Sequence, residues 1–205
     1  MSSTALKSKA RTSYHHGDLE VALIKSAIEL VRIHGPAHLS LRAVAAEVGV
    51  SPSAVYHYFP DKEALVEGVS RVLFEQLFGM QQDAVSAVSG KSASTAKTKF
   101  RELGRSYYHW AKKDPNLFRL MFGGYCTMGH EEEVPEKSAF QMLILALDEL
   151  VACKVIDVKV RKNAESFVWS TVHGATNLIL EGALPEESYE EVLDRIEFTL
   201  GIRKK

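Results

Sequence analysis

The sequence predicts an all-α protein, and three observations lead to that fold class. Apolar residues recur at helical spacing along most of the 205 residues, and no stretch alternates apolar and polar residues as a half-buried strand would. Glycine, proline, serine and aspartate interrupt the pattern where helix ends are expected. No internal repeat or low-complexity tract indicates a solenoid. We therefore expect one compact molecule, with a small domain docked on a larger one.

One long and two short helices are predicted in the N-terminal part. Gly35-Pro36 ends the first, and Ser40 is placed to cap the second. Gly49 then permits a left-handed turn, and Ser51 with the following proline is typical of an N-cap and a first helical position. The three helices are expected over 18–34, 41–48 and 52 to about 59.

The remaining helices are placed by their apolar periodicity, and their ends are less well defined than their centres. Asp61 is expected to cap the fourth and longest helix. The helices are expected over 61–88, 94–113, 115–122, 136–154, 158–182 and 186–201. Loops are expected over 86–95, which is rich in Ser, Ala and Gly, and over 123–135, which contains three consecutive glutamates.

Composition disfavours several classes of protein. No apolar run reaches the roughly 20 residues that span a bilayer, and basic Lys7, Lys9 and Arg11 precede no signal-peptide core. Cys126 and Cys153 are too few for a disulfide framework and lack zinc-site spacing. We expect a cytoplasmic protein with reduced thiols, no membrane contact, no metal and no cofactor.

The turn at Gly49 has the spacing of a helix-turn-helix, in which the second helix enters the major groove and the first braces it. A plain three-helix bundle would show the same turn. The third helix favours DNA binding because it carries short, polar or flat side chains, which suit base edges and phosphates. These are Ser53, Ala54, His57 and Tyr58. The charge balance does not distinguish a DNA-binding domain from a plain helical bundle, because residues 1–62 contain seven basic and five acidic residues.

Three segments resemble the TetR family of regulators. They are Tyr14-His15-His16-Gly17-Asp18-Leu19, Leu39-Ser40-Leu41-Arg42-Ala43-Val44-Ala45, and Gly49-Val50-Ser51 through Tyr56-His57-Tyr58-Phe59-Pro60-Asp61-Lys62. The resemblance covers 14 to about 66. It implies a three-helix DNA-binding domain over 14–62 and a helical effector-binding and dimerisation domain over 63–205, after a flexible basic arm over 1–13.

The resemblance also implies DNA contacts by position. Arg42 is expected to reach a base or phosphate, and Ser53, Ala54 and His57 to read bases. Phosphate contacts are expected at Tyr56, Tyr58 and Lys62. The full DNA-binding set is Arg42, Ser51, Ser53, Ala54, Tyr56, His57, Tyr58 and Lys62. Two aromatics of this region, Tyr56 and Phe59, are also candidates for the core, and for Phe59 that interpretation is favoured. The basic arm is either an auxiliary DNA contact or a solubilising tail.

Apolar stripes on the last two long helices predict a two-fold four-helix bundle between two copies, with an intramolecular core as the alternative. Two segments, 114–122 and 169–174, resemble a TetR subgroup with a Trp-His-Gly signature. Small residues at Gly174 and Ala175 are expected to let helices approach closely. An apolar effector pocket is expected, although its residues are also candidates for plain core. They are Phe78, Tyr107, Trp110, Phe122, Phe140, Trp169 and His173. For His173 a helix contact is the favoured role.

The functional prediction is a homodimeric repressor on a palindromic DNA operator, released by a small apolar effector, with the fourth helix as the lever between domains. A regulator that answers a protein partner, or no small molecule, remains an alternative. An enzyme is disfavoured because the sequence has no Gly-x-Ser-x-Gly elbow, phosphate-binding glycine loop or zincin motif.

Overall fold

The computed structural model describes residues 16–123 and 136–202, which consist of helices and the turns between them. The helices are α1 (His16–His34), α2 (Leu41–Val48), α3 (Pro52–Tyr56), α4 (Lys62–Ser86), α5 (Ala93–Lys113), α6 (Pro115–Phe122), α7 (Ala139–Ala152), α8 (Val158–Arg161), α9 (Ala164–Leu180) and α10 (Ser188–Thr199). The all-α fold is confirmed. The predictions for the basic arm, Cys126 and most of the loop over 123–135 lie outside the described residues.

The helix-turn-helix forms where its local signals predict it. Ser40 Oγ accepts the backbone N–H of Ala43 at 3.1 Å and so begins α2. Gly49 ends that helix at φ 78°, a left-handed conformation that an L side chain adopts with strain. Ser51 Oγ then accepts the N–H of Ala54 at 3.3 Å to begin α3. Helix α3 ends at Tyr56, which is earlier than the predicted end near 59.

The C-terminal domain is built around α4, which packs against α5, α6 and α7. Asp61 Oδ1 accepts the N–H of Ala64 at 2.8 Å, so the predicted cap of α4 is confirmed. Helix α9 packs against α5, α7 and α10. In the described part of the chain, the buried apolar side chains of both domains form one continuous core. None of the described helices combines the length and apolarity needed to cross a bilayer.

The predicted single helix over 158–182 was wrong. It is divided into α8 and α9 at Asn163, whose φ of 58° is left-handed. No glycine or proline marks this break, but asparagine tolerates the left-handed region better than most residues. Helix α7 also starts later than predicted, after the N-cap Ser138, whose Oγ accepts the N–H of Gln141 at 3.0 Å.

Helix α6 connects the two domains, since it packs against α1 and against the short 3₁₀ turn Pro36–His38 as well as against α4 and α5. Arg32 Nε of α1 lies 2.8 Å from Asp114 Oδ1 at the start of α6. Asn116 Nδ2 donates to the carbonyl oxygen of Arg32 at 3.1 Å. The N-terminal end of α6 is therefore held against the C-terminal end of α1.

Candidate nucleic-acid interface and ligand site

Helix α3 presents a polar face to solvent and is anchored by one apolar side chain. Val55 is fully buried, whereas Ser53, Tyr56 and His57 are exposed. Since Tyr56 has 48% of its surface exposed, the core interpretation of this residue does not apply. The exposed side chains can meet base edges and phosphates without any unfolding of the helix.

Residues on both sides of α3 extend this face. Arg42 is exposed on α2, and Tyr58 and Lys62 are half-buried beyond the C-terminal end of α3. Phe59 is 4% exposed and belongs to the core, as predicted. The His57 and Tyr58 rings meet edge to face with centroids 5.4 Å apart, which limits the orientations of both.

Helix caps lie at or beside two of the expected DNA contacts, Ser51 and Lys62. The Ser51 hydroxyl is the cap of α3 and also lies 3.0 Å from Ser53 Oγ, so it has a structural role whether or not DNA is bound. At the start of α4, Asp61 already accepts the N–H of Ala64. A phosphate near Lys62 would therefore meet a helix N-terminus in which one amide is already satisfied.

An aromatic cluster joins α5, α6 and α9 in the C-terminal domain. Tyr107 Oη lies 2.8 Å from His173 Nδ1 and thereby joins α5 to α9. The ring centroids of Trp169 and Tyr107 are 5.4 Å apart. Those of Phe122 and His173 are 4.7 Å apart. Burial lowers the pKa of His173 and raises that of Tyr107, since both charged forms are disfavoured away from water. The favoured helix-contact role of His173 agrees with this geometry.

A cavity of about 40 Å³ lies next to this cluster, between α4, α5, α7, α9 and α10. Of the predicted ligand residues, Tyr107 and Trp169 line the cavity. Phe122, Phe140 and His173 contact Trp169 at centroid distances of 5.9 to 6.5 Å. Within the described chain, half-buried Phe78 and buried Trp110 do not line the cavity.

The outer faces of α9 and α10 carry exposed apolar side chains. Phe167 is 40% exposed, Leu178 is 45% exposed and Phe198 is 73% exposed. The expectation of a close approach at Gly174 is not met within the chain, because apart from the adjoining residues and backbone of its own helix no described atom lies within 4 Å of the position that a Cβ would take. Ala175, its neighbour, is buried. These helices thus bury one side and leave a partly apolar second side uncovered in the single chain.

Family models match both parts of the chain. A model of bacterial regulatory proteins of the tetR family matches residues 23–69, and a model of the tetracyclin repressor-like C-terminal domain matches residues 100–196. The chain belongs to the TetR family. Its helix-turn-helix lies within the first match, and regulators of this family bind DNA and usually dimerise.

Relatives are similar to this TetR-family chain in sequence, and solved structures are similar to it in fold. An uncharacterized HTH-type transcriptional regulator of Mycobacterium tuberculosis (strain ATCC 25618 / H37Rv) is 26% identical over 157 residues, which are 77% of this chain and 60% of that relative. The chain thus matches over less than two thirds of the relative's length. A solved structure from Rhodococcus sp. RHA1, of unknown function, has a TM-score of 0.71 at 24% identity, covering 93% of this chain and 97% of that one. The structure of RolR in complex with resorcinol has a TM-score of 0.65 at 16% identity, and the match covers 90% of this chain and 88% of RolR.

The sequence interpretation of this TetR-family regulator missed three polar residues at the cavity, namely Gln81, Arg101 and Glu197. A signal for Gln81 was present in the sequence. It continues, at four-residue intervals, the stripe formed by Leu65, Val69, Leu73 and Leu77, all of which are fully buried. A glutamine at the next position of such a stripe is expected to point into the core.

Proposed function

We propose that the protein is a ligand-responsive repressor that binds a palindromic operator as a homodimer in the cytoplasm. The observation that carries the proposal is the face of α3, where Ser53, Tyr56 and His57 are exposed around buried Val55. Two copies related by a two-fold axis would place two such faces in successive major grooves, about one helical turn apart. A dimer bound there obstructs transcription.

The side chains of this face divide into two roles. Ser53, Ala54 and His57 lie on α3 or directly after it, and they read base edges. Tyr56, Tyr58 and Lys62 contact phosphates, which position the protein without reading sequence, and Arg42 reaches a base or a phosphate. Ser51 contributes mainly by capping α3.

Dimerisation uses the outer faces of α9 and α10. Exposed Phe167, Leu178 and Phe198 would be covered by the same residues of a second copy, because a two-fold interface pairs a patch with itself. The open space above Gly174 allows a partner helix to approach the α9 backbone closely. The resulting interface is a four-helix bundle of two α9 and two α10 helices.

The response to ligand connects the two domains. We divide the chain into a DNA-binding domain over 14–62 and an effector-binding domain over 63–205, and we assign the latter to the Trp-His-Gly subgroup on Trp169, His173 and Gly174. A ligand that binds better to a state with wrongly spaced α3 helices releases the DNA. Helix α4 is the lever, since it runs from Lys62 at the DNA-binding domain to the cavity.

A second candidate function is favoured by the size of the cavity. At about 40 Å³ it is far smaller than the roughly 300 Å³ or more of a typical ligand site. A regulator that answers a protein partner, or no small molecule, would need no larger space. The two candidates differ in whether any small molecule changes the affinity of the purified protein for its operator.

Selection of bound sites from random double-stranded oligonucleotides tests DNA recognition directly. We expect a palindrome whose half-sites are centred about 10 base pairs apart. A variant with Ser53, Tyr56 and His57 all changed to alanine should recover no common sequence, while retaining the helical circular dichroism of the wild type. Recovery of unrelated sequences by the wild-type protein would reject the proposal.

A further inference from the structure

Gln81 places a polar group in the apolar interior of the effector domain, at the cavity between the helices. Its side chain is 3% exposed and lines that cavity. Nε2 donates to the carbonyl oxygen of Leu103 on α5 at 3.4 Å. This contact sets the orientation of the amide, because the reversed amide would place two oxygens against each other.

The other end of the amide has an unused acceptor. Gln81 Oε1 is buried and has no hydrogen-bond partner among the described residues. Buried polar atoms are nearly always paired, because an unpaired carbonyl oxygen has lost its hydration without compensation. A hydrogen-bond donor that enters the cavity therefore has a fixed place to bind.

The other polar groups on the wall are already occupied by partners. Tyr107 Oη lies 2.8 Å from His173 Nδ1, across to α9. Arg101 contacts three carboxylates of α10, at distances of 2.7 to 2.8 Å. They belong to Glu190, Asp194 and Glu197. An anionic ligand would have to compete with all three, and a cationic ligand would have to separate Glu197 from Arg101.

The remaining wall is apolar and suits the body of an uncharged molecule. It includes Phe100, Leu143, Val168, Val172 and Leu193. These side chains offer dispersion contacts and no counter-charge. Burial of an ionised group among them would be strongly unfavourable.

We propose that the cavity binds a small, uncharged, mostly apolar molecule that carries one hydroxyl or N–H group, with Gln81 Oε1 as the acceptor of its hydrogen bond. The inference rests on the ligand-responsive function proposed above and names the class of effector. A cavity that takes up benzene measures roughly 150 Å³. A single ring therefore requires the present cavity of about 40 Å³ to widen, and the proposed response requires that this widening displaces α4, which forms the wall at Gln81. The ligand thereby selects a different arrangement of the helix that leads to the DNA-binding domain.

Phenol, toluene and benzoate are matched probes, because they share one ring and differ in the group attached to it. Binding to the full chain is measured by calorimetry. The wild type should bind phenol about 10-fold more tightly than toluene, as expected for one hydrogen bond to a buried acceptor, and should not bind benzoate. Gln81→Leu should remove the preference for phenol. Gln82→Leu, at the exposed neighbouring position, should retain it.

Equal affinity of the wild type for phenol and toluene would overturn the proposal. A preference for phenol that survives in Gln81→Leu would also overturn it, and so would the failure of every probe to bind. Gln81→Met, which preserves the length of the side chain, replaces the leucine variant if that variant does not fold. Operator affinity is measured separately with and without phenol. If phenol binds as expected and operator affinity is unchanged, the proposed release mechanism fails while the assignment of Gln81 stands.

Discussion

Arg32 and Asp114 connect the helices of the N-terminal domain to the C-terminal domain through an ion pair in which Nε and Oδ1 are 2.8 Å apart. Asp114 immediately precedes α6, whose other end carries Phe118 and Phe122 into the aromatic cluster around His173. One short helix therefore contacts α1 at one end and the cluster beside the cavity at the other. The cluster and the DNA-binding domain therefore share contacts with the same helix.

The contribution of this pair to stability can be measured by a double-mutant cycle with Arg32→Ala and Asp114→Ala. Since both side chains are partly exposed, we expect a coupling of about 0.5 to 1 kcal/mol in the free energy of unfolding, measured with urea. The pair Arg71 and Glu67 within α4 is a suitable control, because both of its side chains are 71% exposed. A control coupling as large as that of Arg32 and Asp114 would contradict a special role for the interdomain pair.

Lys62 and His57 should affect DNA binding in different ways. Lys62→Ala should weaken binding to all sequences by a similar factor and reduce the slope of log affinity against log salt by roughly one unit for each protomer. His57→Ala should instead change which bases are preferred at one position of each half-site. Titrations of the selected operator and its single-base variants at several salt concentrations distinguish the two. If both variants match the wild type, these contacts are wrongly assigned.

The exposed face of α9 and α10 should control the oligomeric state. Phe198→Asp and Leu178→Asp each place a charge where the proposed partner packs, so both should shift sedimentation from dimer to monomer at micromolar concentration. Ile33→Asp is the matched control, since Ile33 is 67% exposed and belongs to α1, outside the proposed interface of α9 and α10. Loss of the dimer in the Ile33 variant, or its survival in the other two, would place the interface elsewhere.

Glu190 should make stability depend on pH in the acid range. The pKa of Glu190 is lowered from the ordinary 4.5 to about 2, mainly because Arg105 donates a hydrogen bond to the carboxylate. Desolvation opposes this shift, and a hydrogen bond from Arg101 adds to it. A lowered carboxylate pKa stabilises the fold above pH 4.5, and this contribution is lost as the pH falls from 4.5 through 2.

Glu190→Gln should therefore lower the free energy of unfolding at pH 7 by about 1 kcal/mol, a modest value because solvent screens this partly exposed group. The difference from the wild type should shrink between pH 4.5 and pH 2, as followed by urea unfolding at a series of pH values. Glu191→Gln controls for the loss of an acidic residue on the same helix. A difference at pH 2 equal to that at pH 7 would exclude the proposed ion pair as its cause.

The helix-turn-helix was predictable from sequence because its signals are local. Ser40, Gly49 and Ser51 each act within four residues of their own position, so their caps and turn follow from the order of residues alone. The break at Asn163 was not predictable in this way, because asparagine adopts the left-handed conformation without requiring it.

The sequence alone determined the helical content, most helix boundaries and the turn before α3. It also carries the resemblance that identifies the DNA-binding domain. Only the tertiary structure decided that Tyr56 is exposed, that Tyr107 contacts His173, and that Gln81 lines a cavity and has an unused acceptor. The physical reason is the range of the interactions. Helix periodicity and capping act over one or two turns, whereas burial and pairing depend on which helices pack together across the whole chain.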